Sequence, residues 1–193
     1  LGGVIGELWG DPQALDFTAT RRLAVAADIV VENFRPGTLE KMGLGYAALS
    51  AENPRLIWCS ISGFGQTGPY AQYPGFGTLV EAMSGFAART GFPDREPVLP
   101  PLALADMIAG LQGAQAVSTA LLARQRGLAR GQVIDLSLLE PIFSVLGPEA
   151  AIHRVPGKVK QRSGSASNTV SPRNVYRCGD GKYVALSGST QVV

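Results

Sequence analysis

The sequence predicts an α/β fold in which a parallel sheet carries helices on its faces. Three observations predict it: short apolar runs rich in β-branched residues, helical periodicity between those runs, and strand-to-strand spacings too long for hairpins. A parallel strand is covered on both sides, so it reads as a continuous apolar stretch and not as an alternation.

Residues 28 to 32 (DIVVE) and 56 to 62 (LIWCSIS) fit that description. Between them, Thr38 is placed to cap a short helix through Met42, and Tyr46 to Ser50 predicts a second one before the Asn53-Pro54 turn. From Thr78 to Ala88 the apolar residues Leu79, Ala82, Met83 and Phe86 recur at helical intervals, and a loop with Pro93, Pro97, Pro100 and Pro101 ends that helix. A longer helix is expected from about Leu104 to Arg124, then a strand from Gln132 to Leu136 and a helix near Leu138 to Val145. This order is Rossmann-like, with residues 1–150 as a large domain that lacks its N-terminal part.

Residues 151–174 are expected to form a mobile linker loop. They hold His153 and four basic side chains ahead of Ser163-Gly164-Ser165-Ala166-Ser167-Asn168, with too few apolar positions for an element. Val175 to Arg177 and Lys182 to Leu186 flank Cys178-Gly179-Asp180-Gly181, whose glycines permit the positive φ of a tight hairpin. That hairpin is expected to begin a small second domain over residues 175–193.

Composition narrows the function. With 193 residues, 46% hydrophobic, the chain can bury a core, and a net charge of +2 offers no broad basic field for nucleic acid. Cys59 and Cys178 have no paired spacing, which argues against a disulfide framework or a thiolate metal site and for a reducing cytoplasm. His153 is the single histidine, so no His-based metal site is expected, and a Ser-His-Asp arrangement has one candidate base but no Ser in a strand-to-helix elbow. The opening residues carry neither a basic n-region nor an unbroken apolar run, so no secretion signal is expected.

Gly63-Phe64-Gly65-Gln66-Thr67-Gly68 is a literal GxGxxG after a strand, the pattern that cradles a dinucleotide pyrophosphate. Pro69 disfavours helical geometry at Gly68, and no strand ending in an acidic residue follows about 20 positions on, so a glycine-rich turn at a strand end is the better account. In a parallel sheet that edge is still where ligands sit. The run from Leu102 to Ala123 carries one charge in 22 residues, enough length for a bilayer. Asp106, Gln112, Gln115 and Ser118 would each need a partner there, so a buried core helix is expected and no membrane span.

Asp106 interrupts an apolar segment, Pro101 to Leu111. Unpaired burial of a carboxylate costs several kcal/mol, whereas a first helical turn stabilises an anion, so the residue is expected at a helix start facing a cleft. An ordinary capping role satisfies the same placement. Gly110 and Gly113, with Ala105, Ala109, Ala114 and Ala116, keep the surrounding surface low, for a flat ligand or for a neighbouring helix. Asn33, Phe34 and Arg35 follow the first strand with Lys41 nearby: an amide, an aromatic face and two cations that suit a nucleotide. A surface pairing of Arg35 with Glu32 or Glu40 is an equal alternative.

The segments ADIVVENFRPGTLEKMGLGYAAL, NPRLIWCSISGFGQTGPY, PGFGTLVEAMSGF, LALADMIAG and RGQVIDLSLLE stand in an order and spacing that resembles the class III CoA-transferase family. The resemblance runs from about Asp28 to Leu186, roughly the middle half of a full member; the stretch before Asp28 is poorly matched and the family's N-terminal CoA contacts are missing. It implies that Asp106 is the nucleophile, that Asn33, Phe34, Arg35, Lys41 and Pro74-Gly75-Phe76-Gly77 contact CoA, and that the chains form interlocked homodimers. It further implies that an acyl-CoA and a small carboxylic acid are the substrates, with no tightly bound cofactor and no metal. Two alternatives accompany it. One is an α-methylacyl-CoA racemase-like enzyme, although the His base of that relative has no counterpart at Gly75-Phe76-Gly77; the other is a non-catalytic CoA-binding or assembly module.

Overall fold

The structure is a computed structural model that describes residues 17–167 and 170–188. The expectations for the opening residues, for Asn168 and for the last residues of the chain lie outside the described residues.

Three strands form one parallel sheet: β1 (Ile29–Glu32), β2 (Ile57–Ser62) and β3 (Gln132–Ser137), in that spatial order. Ile29 registers with Ile57 and Ile57 with Gln132, so the strands start together and end on one edge. α1 (Phe17–Ala26) precedes β1, and the short helices α2 (Thr38–Lys41) and α3 (Tyr46–Glu52) cross from β1 to β2. α4 (Gly77–Met83), α5 (Phe86–Arg89) and α6 (Leu104–Gln125) cross from β2 to β3, and α7 (Leu139–Ser144) and α8 (Glu149–Arg154) follow. β4 (Arg173–Arg177) and β5 (Tyr183–Ser187) make a separate antiparallel pair. No helix among the described residues is long and apolar enough to cross a membrane.

Alternate side chains of β2 point to opposite faces. Leu56 and Trp58 bury with Leu49 against Ala24, Val25, Leu39 and Tyr46, which closes the α1–α3 face. Ile57 and Cys59, also buried, share the other face with Leu136 of β3, where Gly113 of α6 approaches so closely that a Cβ would stand 3.0 Å from Leu136 Cδ2. Beyond the edge of the sheet, Val80, Ala105 and Ile142 bind α4, α6 and α7 into one cluster.

α6 runs antiparallel to the strands. Near its C-terminus Arg124 donates to Arg55 O at 2.8 Å and to Asp28 Oδ1 at 2.6 Å, both at the amino ends of strands. Its 22 residues span roughly 33 Å, which carries its first turn to the carboxyl edge of the sheet.

Several expectations change. Gly37, at φ 82°, is the residue before α2, and Thr38 is the first helical residue, because the turn out of Pro36 needs a left-handed conformation that threonine avoids. The helix expected over 78–88 is two helices, since Gly85 at φ 89° breaks it. Its buried face is also rotated: Gly77, Val80, Glu81 and Ser84 are buried, while Met83 is 45% exposed. α6 is not buried all round, for Ala105, Ala109, Gly113 and Ala120 line its core face while Met107, Leu111 and Leu122 are exposed.

The segment expected as a mobile loop is held in place. His153 lies in α8, and Arg162 donates to the carbonyls of Ala88, Phe92 and Arg95 at 3.2, 3.2 and 2.7 Å. Gly164 N–H adds a bond to Gly91 O at 2.9 Å. Composition shows the polar side chains but not that backbone carbonyls elsewhere await them. The hairpin appears where expected, with Gly181 alone of its two glycines at positive φ.

Burial pushes the Cys59 thiol up, and the nearby Glu32 carboxylate adds to the effect. The folded chain therefore holds this thiol protonated and loses stability as the pH rises above the ordinary thiol range, where the unfolded chain ionises first. Iodoacetamide at pH 8 is expected to alkylate exposed Cys178 and to leave Cys59 unmodified until denaturant is added, as read by peptide mass mapping.

Candidate active site

Parallel strands deliver their following loops to one edge, with neighbours about 4.8 Å apart. After β1 comes Asn33-Phe34-Arg35-Pro36-Gly37, and Phe34 N–H donates to Glu32 Oε2 at 2.8 Å. Glu32 is therefore engaged with the backbone, and neither Arg35 nor Lys41 forms an ion pair among the described residues. The surface pairing weighed from the sequence is not made; both cations are exposed and available. Phe34, 42% exposed, borders an apolar hollow of about 120 Å³ that Leu39 and Trp58 also line.

After β2 the glycine loop turns without starting a helix; the next helix begins at Gly77. Gly65 and Gly68 take φ of 85° and 93°, and Gln66 N–H donates to both Asp135 carboxylate oxygens at 3.0 Å. The loop is thus clamped to β3 and does not offer the strand-to-helix turn of a dinucleotide site. Gly63 meets Gly75 backbone to backbone: a Cβ on either would stand 2.5 Å from the other's Cα. That contact brings Pro74-Gly75-Phe76-Gly77 to the end of the central strand.

Asp106 occupies the first turn of α6. Its Oδ2 lies over the Cα of Gly77, where a side chain would have to stand. Helix capping does not explain it, because the residue before α6 is Ala103 and no side chain of its own turn caps the helix. The acceptor comes from α4, where Glu81, 3% exposed, takes the Ala105 N–H at 3.1 Å. The Asp106 side chain itself has no hydrogen-bond or ion-pair partner among the described residues and is exposed. The helix start expected for Asp106 is thus found, with its carboxylate exposed at the carboxyl rim of the sheet.

The structure therefore joins Asp106 with Gly77, and Gly75 with the strand end at Gly63. It sets Asn33, Phe34 and Arg35 on the neighbouring strand end of the same edge, with Lys41 in the helix that follows. Exposed His153 on α8 is no part of the 74–77 segment. Glu81 is the site-forming acid that helical periodicity over residues 78–88 does not single out, because that stripe of Leu79, Ala82, Met83 and Phe86 leaves it aside. Its signal was the same as that of Asp106, an acid within an apolar helical stretch.

An α/β protein with a parallel sheet, flanking helices and an acid-bearing helix start at the sheet's carboxyl edge has a close structural counterpart. A CaiB/BaiF family protein from Brucella suis superposes with a TM-score of 0.79 at 41% identity, over 86% of this chain and 44% of that one. The chain belongs to CoA-transferase family III, whose model matches residues 13–192. It is 39% identical to the succinyl-CoA–D-citramalate CoA-transferase of Chloroflexus aurantiacus, over 90% of this chain and 43% of the relative. It is also 40% identical to the succinate–glutarate CoA-transferase of Agrobacterium fabrum, over 88% and 42%. The chain thus spans less than half the length of the curated relatives it matches.

Two glycine substitutions separate site geometry from stability. In Gly77→Ala the atoms nearest the new methyl all belong to the Asp106 carboxyl group, which must rotate away; with Asp106 as the nucleophile that the family resemblance implies, a fall in kcat of the full-length protein of about tenfold or more is expected, with a melting shift of a few degrees at most. In Gly63→Ala the methyl meets the Gly75 backbone, so a loss of about 1–3 kcal/mol in urea unfolding is expected.

Proposed function

We propose that the whole protein transfers coenzyme A from an acyl-CoA donor to a carboxylic acid, with Asp106 as the nucleophile. The observation that carries this is an unengaged carboxylate resting on Gly77, in a helix whose start is capped by another residue. A carboxylate held free of hydrogen-bond donors keeps its lone pairs for an incoming carbonyl carbon, and the glycine beneath it lets the carboxylate settle against the start of α4.

In the proposed reaction Asp106 attacks the donor thioester carbon and expels CoA thiolate, forming a mixed anhydride. The thiolate then attacks the Asp106 acyl carbon, releasing the donor acid and leaving an aspartyl-CoA thioester. The acceptor carboxylate attacks that thioester to form a second anhydride, and the returning thiolate carries off the acceptor acyl group and frees Asp106. Each half of the reaction converts one thioester into another of similar energy by way of a higher-energy anhydride, so the positioning of the reacting groups carries much of the catalysis.

Arg35 and Lys41 are proposed to meet the phosphates of CoA and Phe34 to stack on its adenine, with Asn33 contributing an amide; their exposure without ion-pair partners supports this. The pantetheine arm is proposed to lie along Pro74-Gly75-Phe76-Gly77. The relatives' names point to succinyl-CoA as donor and a four- or five-carbon dicarboxylic acid as acceptor. The exposed apolar row Met107, Leu111 and Leu122 on α6 supports a covering surface, for which a second copy of the chain in an interlocked homodimer is proposed. Residues 175–193 are proposed to open a small second domain.

The test is intact-mass analysis of the full-length protein mixed with succinyl-CoA and a panel of dicarboxylates. A CoA adduct mapping to Asp106 is expected, together with a loss of at least about 10³-fold in kcat for Asp106→Asn. Acyl-CoA binding with neither transfer nor adduct in the full-length protein would establish a binding module instead, and undiminished transfer by Asp106→Ala would overturn the nucleophile assignment.

A further inference from the structure

Glu81 is the most buried acidic residue that the proposed chemistry does not use. It is 3% exposed and has no cationic partner among the described residues. Burying an ionisable side chain is costly, and an apolar residue would not carry that cost. Its hydrogen bond to Ala105 N–H is the contact that sets it apart.

We infer that Glu81 is the positioning residue for the nucleophile, an inference that rests on the assignment of Asp106 proposed above. α4 carries Gly77 and Glu81 four residues apart, so both lie on one face of the helix. α6 carries Ala105 and Asp106 in succession. Glu81 is bonded to Ala105, and Asp106 lies on Gly77, so the two contacts close a ring through both helices. The bond fixes how far the first turn of α6 stands from the start of α4, and that distance decides whether the Asp106 carboxylate sits over the glycine. No side chain at Ala103 could do this, since alanine has no acceptor. A hydrogen bond across the helices also restrains the turn against fraying, which a packed methyl group would not.

The experiment compares Glu81→Ala, Glu81→Gln and Asp106→Asn in the full-length protein, reading single-turnover formation of the CoA adduct from succinyl-CoA, KM for succinyl-CoA and the melting midpoint. Glu81→Ala is expected to slow adduct formation by about 10- to 100-fold with KM changed less than about threefold. Glu81→Gln, which keeps an acceptor oxygen for Ala105 N–H, is expected to recover most of that loss. Should Glu81→Ala fail to fold, Glu81→Asp, one methylene short, makes the same comparison with Gln. An unaltered adduct rate in Glu81→Ala, or equal losses in the Ala and Gln variants, overturns the positioning role. Adduct formation by Asp106→Asn overturns the nucleophile assignment instead, whatever the Glu81 variants do.

Discussion

Two residues without side chains, Gly63 and Gly75, touch backbone to backbone at the carboxyl end of the central strand, and the rest of the site depends on that approach. Any Cβ there would push the chain leading into α4 away from the sheet. With the contact made, α4 starts beside the strand end, Gly77 comes under the first turn of α6, and an acid on α6 reaches the edge where ligands of parallel sheets collect. Arg124 fixes the other end of α6 to the amino ends of β1 and β2, so the helix is located at both ends.

The division of labour between two acids follows from this placement. Both stand at the start of α6, where backbone N–H groups favour negative charge. Glu81 approaches from the side, is buried and takes a backbone N–H; Asp106 projects from the turn itself, is exposed and takes none. One acid is thereby committed to structure and the other left available for chemistry.

The surface around the site is apolar to a degree unusual for a finished exterior. Phe76 is 60% exposed, Met107 59% and Leu111 74%, all near or beyond the first turns of α4 and α6. Such a grouping marks a contact surface more often than bare solvent. The segment 157–167 is fastened by Arg162 to the carbonyls of residues 88, 92 and 95.

From sequence alone came the parallel α/β architecture, the three parallel strands to within a residue at each end, the unusual setting of Asp106 and the family resemblance, because all of these are written in local order: apolar runs, helical periods and motif spacing. What only the tertiary structure decided was which acid caps α6, which face of α4 is buried and whether residues 157–167 hang free. Periodicity put Leu79 and Met83 inside, yet Gly77, Val80, Glu81 and Ser84 are the buried set, because close helix packing selects small residues and one hydrogen-bonded acid over the most apolar stripe. Those outcomes depend on contacts between residues 24 to 74 positions apart, such as Glu81 with Ala105 and Ala88 with Arg162. No local pattern encodes a partner that far along the chain.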